Sequence, residues 1–335
     1  MVFGPRGFAS PSVPDRVFSG GASNSLVSRR ELLASLGGAA AVSRGRSGVD
    51  DETVDADGPL SVRLYPTPVA LWARLRDGVA GIRKGWPPPF RAALAAVEDA
   101  LEQVLAYAHE RSRLTGLEAA VERGGPVRFS LAEAPPSSEA LVPELETVLE
   151  RFHDRLRERE VLTGSTCHLL LCWSPFNYRV GYGGTLSPNA RIGDDGGGTD
   201  GDSTGGDALT VANIGATEFW DSRAVTRNIA IHEVLHTYLE GDIVEPVVGS
   251  RCDHDLGAAE RISDETMSVS PMATAYAGPD EVGGGTRFHG TGCYDHDDFH
   301  RHDGHEGVEN WTYTTELSEA TLEAVTRYLE RTGVS

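Results

Sequence analysis

From Leu60 to Gly241 the chain alternates short apolar runs with stretches of helical period, and beyond Gly241 that regularity stops until Leu317. A chain patterned this way builds an α/β layer first and an irregular half second. LSVRLYP, Leu60–Pro66, alternates as a short strand. Residues 87–114 open with proline and set Leu94, Val97, Leu101, Val104 and Leu105 at helical spacing. Residues 127–134 read as a strand and residues 137–158 as an amphipathic helix. The continuous apolar run at 166–173 suits a central strand. The glycine-rich segment 177–186 suits an edge strand, and 208–216 returns to strand. Residues 193–207, mostly glycine and aspartate, cannot pack a core and read as a loop. The expected fold class is therefore α/β (α+β): a mixed sheet with helices in an N-terminal lobe (58–241). An irregular C-terminal lobe (242–335) is closed by a helix that Ser318 caps and that carries Leu322, Val325 and Leu329. Residues 60–123 fit either the sheet or a pro-segment.

The last helix of the ordered half contains AIHEVLHTYLEGD, residues 230–242. Asp221 or Ser222 can cap it and Gly241 can end it. Ile231, Val234, Leu235 and Tyr238 form its core stripe, so His232 and His236 share a neighbouring face one turn apart. That spacing lets two imidazoles reach one ion. Glu233 points off that line, free to contact water rather than metal. Catalytic zinc keeps three protein ligands and one open position. Two residues downstream can supply the third ligand, His254 and Glu260. Taken alone, His254 between two aspartates reads as a solvated loop residue, and Glu260 as a surface carboxylate.

Order along the chain lifts both above that reading. Glu-x-x-Ser-Asp, from Glu260 to Asp264, resembles the second motif of thermolysin-like enzymes, at slightly longer spacing. That likeness implies Glu260 as a zinc ligand. Residues 268–278, SVSPMATAYAG, followed by one closing helix, resemble the metzincin clan of zinc endopeptidases. The resemblance implies a zincin fold with His232, His236 and His254 as ligands, Glu233 as general base and a methionine turn at Met272. It covers residues 60–335 in layout and is specific from Ile229 to Tyr276. The clan places glycine three residues after the second histidine; Leu239 stands there instead. The leishmanolysin-like branch tolerates an insertion before its third histidine, and residues 240–253 are an insertion of that kind. Met267 competes with Met272 but lacks the preceding Ser-Pro. Tyr276 is a further candidate, helping to hold an oxyanion.

Composition narrows the partners. Fifty acidic and thirty basic residues leave a net charge of −20, and Lys84 is the only lysine. Such a chain repels nucleic acid and anionic membranes, and no apolar run reaches membrane-spanning length. The carboxylate-rich, lysine-poor surface resembles those of extreme halophiles, whose self-repulsion is screened as the Debye length falls to roughly 3 Å at 1 M salt. Arg29 and Arg30, followed by a short apolar run ending near Ala41, have a twin-arginine export layout. Residues 1–57 are accordingly expected to be signal and acidic linker, with a secreted zincin catalytic domain over 58–335. Once exported, Cys252 and Cys293 could pair. Cys167 and Cys172, at an odd offset in one strand, point to opposite faces. Residues 293–306 set four histidines among acids, at spacings that fit no single helix face or zinc-finger pattern, so a solvated loop is expected. The function expected is zinc-dependent peptide hydrolysis by a monomer, with the substrate extended along the edge segment 178–186. The alternatives are a thermolysin-like zincin using Glu260, or a non-proteolytic secreted zinc-binding or surface-interaction protein.

Overall fold

The computed structural model describes residues 60–76, 85–111, 113–114, 116–129, 142–164, 166–187, 207–279 and 285–332. The expected export signal and linker lie outside these residues. So do the glycine–aspartate loop, apart from Asp207, and the end of the strand expected at 127–134. The described residues belong to one compact unit, Thr53–Ser335.

The first sheet has the order β2-β1-β3-β5-β4, from β1 (Leu60–Pro66), β2 (Ala119–Arg123), β3 (Thr166–Leu171), β4 (Gly183–Ser187) and β5 (Ala208–Ala212). Its first four strands are parallel, and β4 runs antiparallel to β5 at the edge. Thr166–Leu171 is buried at every position, as a strand covered on both faces must be. Residues 60–123 supply β1 and β2, so this stretch belongs to the sheet and not to a separable pro-segment. Val127 extends along the sheet, its N–H donating to the Pro66 carbonyl at 2.9 Å, but residues 124–129 form no strand.

Helices cover both faces. Val62, Leu64, Leu169 and Leu171 pack with α2 (Pro88–Glu110) and the long helix α5 (Arg223–Leu235). The alternate positions Tyr65, Leu170, Leu209 and Val211 pack with Val148, Leu149, Phe152 and Leu156 of α3 (Leu145–Glu158). Phe90 and Phe152 are fully buried, and each contributes roughly 1.5–3 kcal/mol through its burial. Cys167 lies in the first of these clusters and Cys172 in the second, both free, which agrees with the odd offset. A short α1 (Leu71–Arg76) follows β1.

Two elements depart from expectation. Residues 213–216 do not continue β5. Asn213 instead caps α4 (Ile214–Trp220), its side chain accepting the Ala216 N–H at 3.2 Å. The C-terminal lobe also contains a second mixed sheet, in the order β8-β6-β7-β9. Its strands are β6 (Ala258–Ser263), β7 (Thr266–Val269), β8 (Arg301–His302) and β9 (Asn310–Tyr313). They are short and half-exposed, and two of their three pairings join distant segments. The closing helix α7 (Glu319–Arg331) is capped by Ser318 as expected, which accepts the Thr321 N–H at 3.0 Å. No described helix is long and apolar enough to cross a membrane.

Candidate metal centre

Helix α5 starts at Ser222, whose hydroxyl accepts the Val225 N–H at 3.3 Å. It ends sooner than its sequence suggests, with His236 itself as the C-cap. The Thr237 hydroxyl donates to the Val234 carbonyl at 2.7 Å, and the Tyr238 N–H to Leu235 at 2.9 Å. That turn buries Tyr238 and Leu239. Gly241 therefore does not end α5; it opens a separate helix, α6 (Gly241–Val248), with Glu240 as its N-cap. Helix α6 fills the expected insertion and is closed by Gly249 in the left-handed region, at φ 82°. The chain then returns in a 3-10 turn, Asp253–Leu256, which carries His254.

His232, His236 and His254 come together, with one nitrogen from each within 4.8 Å of the others. The acceptors at their Nδ1 atoms show which nitrogens face inward. His232 Nδ1 donates to the Pro271 carbonyl (2.9 Å), His236 Nδ1 to Asp253 Oδ2 (2.5 Å) and His254 Nδ1 to the Cys293 carbonyl (2.6 Å). Carbonyls and carboxylates only accept, so each Nδ1 carries its proton and, in the neutral ring, each Nε2 keeps its lone pair. The Nε2 atoms of His232 and His236 stand 2.8 Å apart, and that of His254 is buried with no hydrogen-bond partner. Lone pairs this close require a positive charge between them, a proton or a metal ion. Three imidazoles with fixed tautomers suit a borderline divalent cation.

The surroundings act on the rings unequally: against burial, the Asp253 carboxylate lifts His236 above its ordinary pKa. Burial, then the neighbouring His236 and His254, hold His232 well below its ordinary pKa. Burial and His236 push His254 down to about 4. Burial works against ionisation of Asp253, yet His236, through its charge and hydrogen bond, and the other two histidines hold its carboxyl below the usual range. The two aspartates beside His254, which in sequence suggest a solvated loop, are thus part of the construction. Asp253 orients His236. Asp255 accepts the Asp295 N–H at 3.0 Å and gathers the loop that carries Cys293. Cys252 and Cys293 form a disulfide across this point, with Cα atoms 5.8 Å apart.

The remaining candidates separate clearly. Glu260 lies on β6, half-exposed, with its carboxylate 3.0 Å from Arg301, and is not among the residues that converge on His232. Met272 is fully buried in the main core, as is Met267 on β7. The segment meets His232 through the carbonyl of Pro271, adjacent to Met272. Asn228, one turn before His232, ties α5 to this segment by donating to the Thr274 hydroxyl at 3.0 Å. Tyr276 packs its ring 3.9 Å from that of His254, and its hydroxyl accepts the Gly292 N–H at 3.2 Å.

Glu233 is buried, and burial lifts its carboxyl to about 7. Thr210 of β5 donates to it at 3.4 Å. A Cβ on Gly183 would stand 2.3 Å from Glu233 Oε1 and 2.4 Å from the Val211 carbonyl, and one on Gly184 would stand 2.3 Å from Leu145. These edge-strand glycines therefore make room for the protein's own side chains. The expected edge segment, which ended at Leu186, is strand only from Gly183, in β4 (Gly183–Ser187); residues 178–182 turn around the mouth of a cleft of about 490 Å³. The cleft is lined by His232, Glu233, Gly183, Tyr276 and, at its outer end, Phe176 and Trp220. Asp253, Thr210, Gly183 and the Pro271 and Cys293 carbonyls had no signature in the sequence.

The chain matches no known family model and no curated protein.

Proposed function

We propose that the protein is an exported zinc-dependent endopeptidase of metzincin type, with His232, His236 and His254 as metal ligands and Glu233 as general base. One observation carries the reading: three imidazole Nε2 atoms meet beside a buried carboxylate that opens onto a cleft. Zinc in such a site supplies Lewis acidity, which acidifies water and polarises a carbonyl. Glu233 takes the proton of the attacking water on a carboxylate oxygen and hands it to the leaving amine nitrogen. Thr210 and the space left by Gly183 hold that carboxylate in place. Tyr276 donates its O–H to the carbonyl oxygen as negative charge develops there. An extended peptide pairs with the side of β4 away from β5, with the exposed aromatic rings of Phe176 and Trp220 at the end of its path. The Cys252–Cys293 disulfide supports an oxidising destination.

The presence of Glu233, hydrogen-bonded and given room, favours catalysis over a binding module, which needs only the ligands. The ion pair of Glu260 with Arg301 favours His254 as third ligand over a thermolysin-like set. Casein hydrolysis and zinc content, measured in molar salt, test both points. Glu233→Gln is expected to keep zinc and lose about 10²–10⁴-fold in activity. His254→Ala is expected to lose the ion at this triad and activity together. An ion kept at this triad in His254→Ala but lost from it in Glu260→Ala overturns the ligand set, and a wild type that binds zinc at this triad without cleaving any unfolded protein overturns the activity.

A further inference from the structure

Residues 293–306 read in sequence as a solvated loop, but the fold organises them. The His300 N–H donates to the Asp255 carbonyl at 2.6 Å, Phe299 is buried, and β8 pairs with β6 at Ala258 and Ala259. This folding brings His296, His302 and His305 together, one nitrogen of each within 4.8 Å of the others. We propose that these three histidines form a second, non-catalytic metal site that takes zinc.

The ring arrangement repeats that of the first triad. His232 and His254 are stacked at 5.1 Å and 18°, with His236 crosswise to both at 87° and 84°. His296 and His302 are stacked at 4.3 Å and 14°, with His305 crosswise at 68° and 81°. The tautomers are set in the same manner, with the nitrogens exchanged. His296 Nε2 donates to the Tyr276 carbonyl at 2.8 Å and His302 Nε2 to the Ala277 carbonyl at 2.9 Å. Each therefore keeps its Nδ1 lone pair. His302 Nδ1 receives only a long 3.2 Å contact from the Gly304 N–H, which a stronger electrophile displaces. His305 Nδ1 is buried with no hydrogen-bond partner. A buried acceptor without a donor is costly, and a cation shared by three Nδ1 atoms satisfies it.

Imidazoles without thiolate select zinc or a similar borderline cation over calcium or magnesium. Asp295, Asp297, Asp298, Asp303 and Glu306 make the segment negative and draw cations toward it. No described carboxylate hydrogen-bonds these histidines, so the site lacks a base such as Glu233, and its role is structural. The two carbonyls it anchors belong to Tyr276 and Ala277. Zinc here fastens the loop to the wall of the cleft, one residue from the ring that packs on His254.

Metal-stripped protein, re-equilibrated with micromolar zinc in molar salt and dialysed, is assayed for zinc per chain. The wild type is expected to hold two ions, His236→Ala one, His305→Ala one, and the double variant none. A wild type holding one ion, lost in His236→Ala and kept in His305→Ala, overturns the proposal and leaves the second triad as packed neutral rings. Anomalous scattering at the zinc edge from wild-type crystals removes dependence on variant folding. A peak among His296, His302 and His305 is the expected result, and a peak confined to the first triad overturns the site.

Discussion

The two histidine triads share a ring geometry and a means of fixing tautomers, yet their surroundings assign them different work. In the first, His232 and His254 are buried, and a cleft reaches His232 and the adjoining Glu233 from outside. In the second the rings are half-exposed, and among the described residues His296 and His302 are anchored by main-chain carbonyls. Ligands hold an ion, but chemistry needs a base, a route for substrate and a dry wall. On the proposed reading the first triad has all three, because α5 sets Glu233 beside β4 and β5. The second sits on a loop sewn to a small sheet, where burial is shallow.

Displacing the base gives the largest expected effect that separates the two. Gly183→Ala drives a methyl group into Glu233 and the Val211 carbonyl. A displacement of about 1 Å at a reacting group costs about 10²-fold in rate, so kcat/KM on casein should fall by that order while both zinc ions stay. An unchanged rate would mean that the glycine matters only for packing. Asp253→Asn comes next. It keeps the shape but removes the charge that orients His236, so first-site affinity, read by chelator competition, should weaken about 10–100-fold. The second site should be unaffected, because its anchors are carbonyls; equal weakening at both would show that the triads are coupled through the Asp253–Asp255 turn. Glu260→Ala should do least. It breaks a half-exposed ion pair with Arg301, beside His302, worth about 0–1 kcal/mol. Thermal unfolding should barely move and neither ion should be lost. Loss of the first-site ion alone would return Glu260 to the ligand set.

How much of this was visible in the chain differs by region for a physical reason. Helix α5, its Ser222 cap, the buried central strand and the capped closing helix all announce themselves through local periodicity. The second sheet does not. Strand β8 is two residues long, β6 is half-exposed, and their partners are far apart in sequence, so no local pattern marks them. Helix α6 was hidden in the same way, since eight residues with Pro246 inside and a glycine at the start look like a loop. That helix is why the third histidine arrives late. Asp253 was misleading, because an aspartate beside a histidine reads as solvent-facing until a turn carries it against His236.

By itself the sequence determined the layered architecture, the helix bearing His232, Glu233 and His236, and the short set of partners that could complete it. Those depend on i, i+4 and alternating spacings, which the backbone converts directly into faces. Only the tertiary structure brought His254, and not Glu260, to His232 and His236, set Asp253 against His236, and gathered His296, His302 and His305 from a stretch with no regular spacing. Each of those outcomes depends on which carbonyl or carboxylate lies opposite a given nitrogen. Hydrogen bonds made across 17 to 39 residues of folded chain set that arrangement, and local spacing does not.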